Sequence, residues 1–74
     1  MSTTSQGAPR AVTVNGETRE TAAGALDNLL EELSLTGIPI VAEVNGKIVK
    51  PEDFAATPID AGDRIELVRF VGGG

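Results

Sequence analysis

Only one stretch of this chain carries a helical period. Leu26, Leu29, Leu30 and Leu33 fall at i, i+3, i+4 and i+7, an apolar stripe opposed by Asp27, Asn28, Glu31 and Glu32. The other apolar runs are short, alternate with polar residues, and are broken by Asn-Gly dipeptides. A lone amphipathic helix must therefore bury its stripe against a sheet, which is the α+β layer solution. With 74 residues there is room for one domain and one core.

The strands follow from the period-two segments. Ala11-Val12-Thr13-Val14 runs into Asn15-Gly16, the dipeptide best suited to a two-residue hairpin, and Glu17 to Thr21 forms the return strand. The helix is expected over Ala25 to Leu33. If it begins one turn earlier, Thr21 is its N-cap and Gly24 sits in the first turn. Gly37 and Pro39 end that stretch, and Ile40 to Val44 reads as a strand entering a second turn at Asn45-Gly46. Ile48-Val49 is a short strand, Lys50 to Phe54 a turn or single helical turn with Phe54 tucked back, and Ile59 a plug before the turn Asp60-Ala61-Gly62-Asp63. The last strand, Arg64 to Phe70, puts Ile65, Leu67 and Arg69 on one side and Glu66, Val68 and Phe70 on the other. The expected core is Val12, Val14, Leu26, Leu29, Leu30, Leu33, Ala42, Val44, Val49, Ile65 and Leu67. Residues 1–9, small and polar, read as a disordered leader; residues 10–71 form the domain, and residues 72–74 a flexible tail.

Composition removes most self-contained chemistry. There is no cysteine and no histidine, hence no thiol nucleophile, no imidazole base and no zinc site of the usual kind. No Walker-type loop offers to hold ATP. The acidic pairs Glu31-Glu32 and Glu52-Asp53 suit solvation better than catalysis or metal binding. Eleven acidic against six basic residues give a net charge of −5, which favours basic protein partners over nucleic acid or an anionic membrane. With no apolar leader or span, a cytoplasmic, monomeric protein is expected, with no catalytic residue, no bound cofactor and no metal.

The remaining feature is the tail, Gly72-Gly73-Gly74, one residue after the last strand. A frayed end would look the same. Glycine adds no packing, but three of them suit a carboxylate that must thread a narrow channel, where a Cβ would strike the wall. Such a carboxylate has to be activated, for example by attack on the α-phosphate of ATP; the adenylate then loses AMP to a sulfur nucleophile, leaving a thiocarboxylate. Beside the tail, Glu66, Val68, Phe70 and Val71 make an expected partner-docking patch, with an exposed aromatic at its centre. The alternative is that Phe70 folds over the sheet edge and covers core.

These segments also carry a family resemblance. Val12-Thr13-Val14-Asn15-Gly16, the Leu26-x-x-Leu29-Leu30-x-x-Leu33 helix, Val44-Asn45-Gly46-x-Ile48-Val49, and Ala61-Gly62-Asp63-Arg64-Ile65-Glu66-Leu67 leading to Gly73-Gly74 occur in the order and spacing of a known family. Over residues 10–74 the chain resembles the sulfur carriers of thiamine thiazole biosynthesis, the ThiS family, in the ubiquitin-like β-grasp superfamily. The resemblance implies an α+β β-grasp fold, a mixed twisted sheet packed on one main helix. It implies that Gly74 is the modified residue, with Gly73 its required neighbour. It further implies an E1-like adenylating enzyme that uses ATP, a cysteine desulfurase or equivalent as sulfur source, and thiazole synthase as acceptor. Lys50 and Pro51 stand where many members carry Pro-Arg, and Phe54 can fill the place of their tryptophan. The small subunit of molybdopterin synthase, other thiocarboxylate carriers, and a non-covalent β-grasp binding module are the alternatives.

Overall fold

The computed structural model describes residues 8–70. Most of the expected leader, residues 1–7, and Val71, Gly72, Gly73 and Gly74 lie outside the described residues. Five strands and one α-helix follow in the order β1 (Arg10–Val14), β2 (Glu17–Thr21), α1 (Leu26–Glu32), β3 (Ile40–Val44), β4 (Lys47–Val49) and β5 (Arg64–Arg69), with a 3-10 helix at Pro51–Ala56 before the last strand. The sheet order is β2-β1-β5-β3-β4. Only the β1–β5 pairing is parallel; the two hairpins and the β3–β5 pair are antiparallel. This mixed sheet with one helix is the arrangement the resemblance implied.

Both Asn-Gly turns form as expected. Asn15 and Gly16 have φ of 50° and 83°, Asn45 and Gly46 of 53° and 86°. Positive φ at both central positions gives a turn whose twist matches the strands it joins.

The helix is shorter than its stripe. Ala25 is the N-cap, its N–H donating to Asn28 Oδ1 at 3.2 Å, and no turn precedes it. Thr21 is therefore not a cap. It stays in β2, where its buried hydroxyl accepts from Ala23 N–H (3.0 Å) and donates to Glu32 Oε1 (2.6 Å), tying the strand to the end of the helix. The helix also ends before Gly37 and Pro39. Ser34 takes φ of 61°, Ser34 N–H bonds the Glu31 carbonyl, and Leu35 N–H bonds that of Leu30. That pair of bonds is a Schellman ending with serine in the place usually held by glycine.

The core consists of Val12, Ala23, Leu26, Leu29, Leu30, Ile40, Ala42, Ile59, Ile65 and Leu67. Val14, Leu33, Val44 and Val49, expected inside, are half-buried and pack around it. Each sits at a hairpin turn, a helix end or an edge strand, where one side has no neighbouring element to cover it. Ile59 is the plug expected of it, and Phe54 packs against the core from the 3-10 helix. At the sheet's lower corner the Arg10 guanidinium donates to the carbonyls of Ala8, Ala23 and Ile59. It adds side-chain bonds where the segments around Ala23 and Ile59 already meet through the Ala25–Pro58 bridge and the Ile59 N–H bond to the Gly24 carbonyl.

Candidate functional site

Strand β5 is the element that leads to the tail, and its alternation decides what surrounds the tail's root. Ile65 and Leu67 point into the core, so Glu66, Val68 and Phe70 take the opposite face, and all three are exposed. Val68 is 59% exposed and Phe70 63%. Phe70 lies one residue past the end of β5, and its N–H still reaches the Pro39 carbonyl at 3.3 Å. It does not fold over the edge to become core. Val71, the fourth residue of the expected patch, lies outside the described residues.

The pairing of β5 with β3 extends this face. Val68 is opposite Val41, Glu66 is opposite Glu43, and across the next hairpin Glu43 is opposite Ile48, which is 69% exposed. An apolar strip of Ile48, Val41, Val68 and Phe70 thus crosses the solvent face of the sheet, with Glu43 and Glu66 set into it. Large apolar side chains gathered on one face beside a chain terminus are the features of a protein-docking surface. Sequence reasoning found the β5 half of the strip and missed Ile48 and Val41. The signal was there: a two-residue turn at Asn45-Gly46 fixes the register, so Ile48 must lie opposite Glu43, and Glu43 points outward because Ala42 and Val44 point in.

Glu32 is engaged by Thr21, and among the described residues no group of three or more acidic side chains converges as a metal site would require. An apolar cavity of about 360 Å³ lies on the other side of the sheet, walled by Leu30, Leu35, Ile38, Pro39, Ile40 and Phe54. Its polar lining side chains are Asp27 and Thr36. No described helix is long and apolar enough to cross a membrane.

Comparison with known proteins bears on the fold and the family. A thiazole synthase of Paramagnetospirillum magneticum is 36% identical over 62 residues, 82% of this chain. The chain spans only 19% of that protein's length. The crystal structure of a thiamine biosynthesis protein (ThiS) from Geobacter metallireducens superposes with a TM-score of 0.73 at 31% identity, covering 86% of this chain and 99% of that one. Its fold is the ubiquitin-like β-grasp expected here. The ThiS family model matches residues 12–74, from the middle of β1 through the glycines, and the chain accordingly belongs to the ThiS family.

Proposed function

We propose that the protein is a sulfur carrier in thiamine biosynthesis, a co-substrate of other enzymes with no catalytic residues of its own. Gly74 supplies the reacting carboxylate. Its oxygen attacks the α-phosphorus of ATP on an E1-like adenylating enzyme, pyrophosphate leaves, and the carboxylate becomes an acyl adenylate. A persulfide on a cysteine desulfurase or an equivalent donor then attacks the carbonyl carbon through its outer sulfur and expels AMP, and a thiol reductant breaks the S–S bond of the acyl disulfide so formed, releasing the donor's own thiol and the thiocarboxylate. The resulting thiocarboxylate passes its sulfur to thiazole synthase. The ATP belongs to the partner enzyme, and the whole sequence takes place in the cytoplasm.

The observation that supports this reading is the apolar strip ending in Val68 and Phe70, two residues ahead of Gly72-Gly73-Gly74 in the sequence. A partner that holds the strip, together with Glu66 and Val71, receives the tail in a fixed direction, and the glycines let it pass where side chains would not. The relative named thiazole synthase supports the choice of acceptor, because a segment similar to this chain is part of that protein.

The test is an intact-mass measurement. Incubated with ATP, the activating enzyme of the source cell and a sulfur donor, the protein gains the mass difference between sulfur and oxygen, and the gain maps to the peptide ending in Gly74. A chain lacking Gly73 and Gly74 keeps its thermal transition and shows no gain. Sulfur transfer by the shortened chain would sink the proposal and leave a binding module.

A further inference from the structure

Strand β5 is central, yet its neighbour β1 stops short. The parallel pairing covers only Thr13 with Arg64 and Val14 with Ile65. The ladder of bonds runs from Thr13 N–H to the Asp63 carbonyl (3.0 Å) and from Asn15 N–H to the Ile65 carbonyl (2.9 Å). Were β1 to continue, Leu67 N–H would bond the main-chain carbonyl of Asn15, and the Leu67 carbonyl would bond an N–H two residues further on. Neither main-chain group is available, because Asn15 turns away at φ of 50° to start the hairpin.

The side chain of Asn15 takes both places. Its Oδ1 accepts from Leu67 N–H at 2.8 Å, and its Nδ2 donates to the Leu67 carbonyl at 3.2 Å. One carboxamide thus acts as the peptide group that β1 lacks. We propose that Asn15 is a positioning residue for the carrier reaction, a side-chain substitute for a strand residue that fixes β5 at Leu67 so that Val68, Phe70 and the tail meet the partner in one register. The proposal rests on the carrier function argued above.

Asn45 provides a matched control. It occupies the same position in an identical turn and also bonds β5, but at the opposite end, where Arg64 N–H donates to its Oδ1 (2.9 Å) and its Nδ2 reaches Asp63 (3.0 Å). Glycine accepts positive φ freely, so Asn15→Gly and Asn45→Gly keep both turns and delete only the two carboxamides.

The full chain and both variants are compared in two ways. The first is amide hydrogen exchange at Val68 and Phe70, neither of which bonds Asn15, referenced to Leu29 in the helix to remove any change in global stability. The second is steady-state ATP–pyrophosphate exchange with the E1-like activating enzyme. For Asn15→Gly we expect faster exchange at Phe70 relative to Leu29. We also expect KM for the carrier to rise about fivefold or more, the equivalent of one net hydrogen bond, with kcat little changed. Asn45→Gly changes neither. Protection at Phe70 and a KM equal to those of Asn45→Gly would overturn the assignment.

If Asn15→Gly fails to fold, Asn15→Asp is read instead. It keeps the acceptor for Leu67 N–H and loses the donor, and the same two readouts apply. If the unaltered chain is not adenylated at all, the carrier function falls, and the exchange data alone decide whether Asn15 holds the end of β5.

Discussion

The alternation of β5 makes a quantitative prediction about Leu67, inside the strand, and Phe70, one residue past its end. Leu67 is 8% exposed and faces the helix; Phe70 is 63% exposed and faces away. Full burial of a phenylalanine stabilises by roughly 1.5–3 kcal/mol, so with about a third of Phe70 covered, its truncation removes only about 0.5–1 kcal/mol. No enclosed cavity is left behind to add to this. Leu67→Ala removes a packed side chain and leaves a void, at a cost of about 2–5 kcal/mol. In a domain of this size each kcal/mol shifts Tm by about 4–8 °C, so Phe70→Ala should lower Tm by roughly 2–8 °C and Leu67→Ala by roughly 10 °C or more.

Binding should rank the two the other way. An aromatic anchor at the centre of an interface costs about 2 kcal/mol or more when truncated, which is a roughly 30-fold weaker Kd. Titration calorimetry of each variant against the activating enzyme, beside thermal unfolding monitored by circular dichroism, measures both quantities. The prediction is a crossing: the larger stability loss with Leu67→Ala, the larger affinity loss per degree of Tm with Phe70→Ala. A Tm for Phe70→Ala as low as that of Leu67→Ala would refute the placement of Phe70 on an outer face. An unchanged Kd with an unchanged Tm would refute that face as the docking surface.

Three further substitutions test other parts of the argument. Ile48→Ser, on the edge of the strip and far from the tail in sequence, should weaken the activating-enzyme complex in the same titration while leaving Tm nearly unchanged. Thr21→Val removes both the acceptor for Ala23 N–H and the donor to Glu32, and should cost about 1–3 kcal/mol in thermal or urea unfolding. Arg10→Lys keeps the charge but replaces two separated guanidinium nitrogens, one bonding Ala8 and the other Ala23 and Ile59, with a single nitrogen that cannot occupy both places; it should lower the urea midpoint without altering the binding of Phe70's face.

What the sequence made legible was whatever depended on local chemistry. The Asn-Gly dipeptides placed two hairpins, the leucine spacing placed the helix, and the alternation of Arg64 to Phe70 separated the outer face from the core. What escaped depended on contacts between segments distant in sequence. Ala23 belongs to none of the periodic segments, yet it is buried where Arg10 and Thr21 gather the chain between β2 and the helix. Thr21 has the right residue type for an N-cap, but its hydroxyl is claimed by tertiary partners, which outweigh local capping preference. Ser34 ends the helix at a position where sequence offers no glycine to announce it. Ile48 and Val41 were recoverable from the turn register alone, had the outer face been followed past β5.

The order of the strands suits the proposed function, in which the domain presents its terminus to another enzyme. A last strand at a sheet edge is held on one side, and its end frays readily because each bond lost exposes the next. Here the last strand is the middle one, with β3 bonded along one side as far as Phe70 and β1, continued by the Asn15 carboxamide, along the other as far as Leu67. The parallel β1–β5 pairing is what puts it there, since an antiparallel partner from the second hairpin alone would leave β5 with an open side. Val68 and Phe70 are thereby fixed relative to Ile48 and Val41 on neighbouring strands, and a partner that reads the strip also reads the direction in which the chain leaves it. The two hairpins and the helix then hold one strand in place, and on the proposed function it is that strand's exposed side that a partner would read.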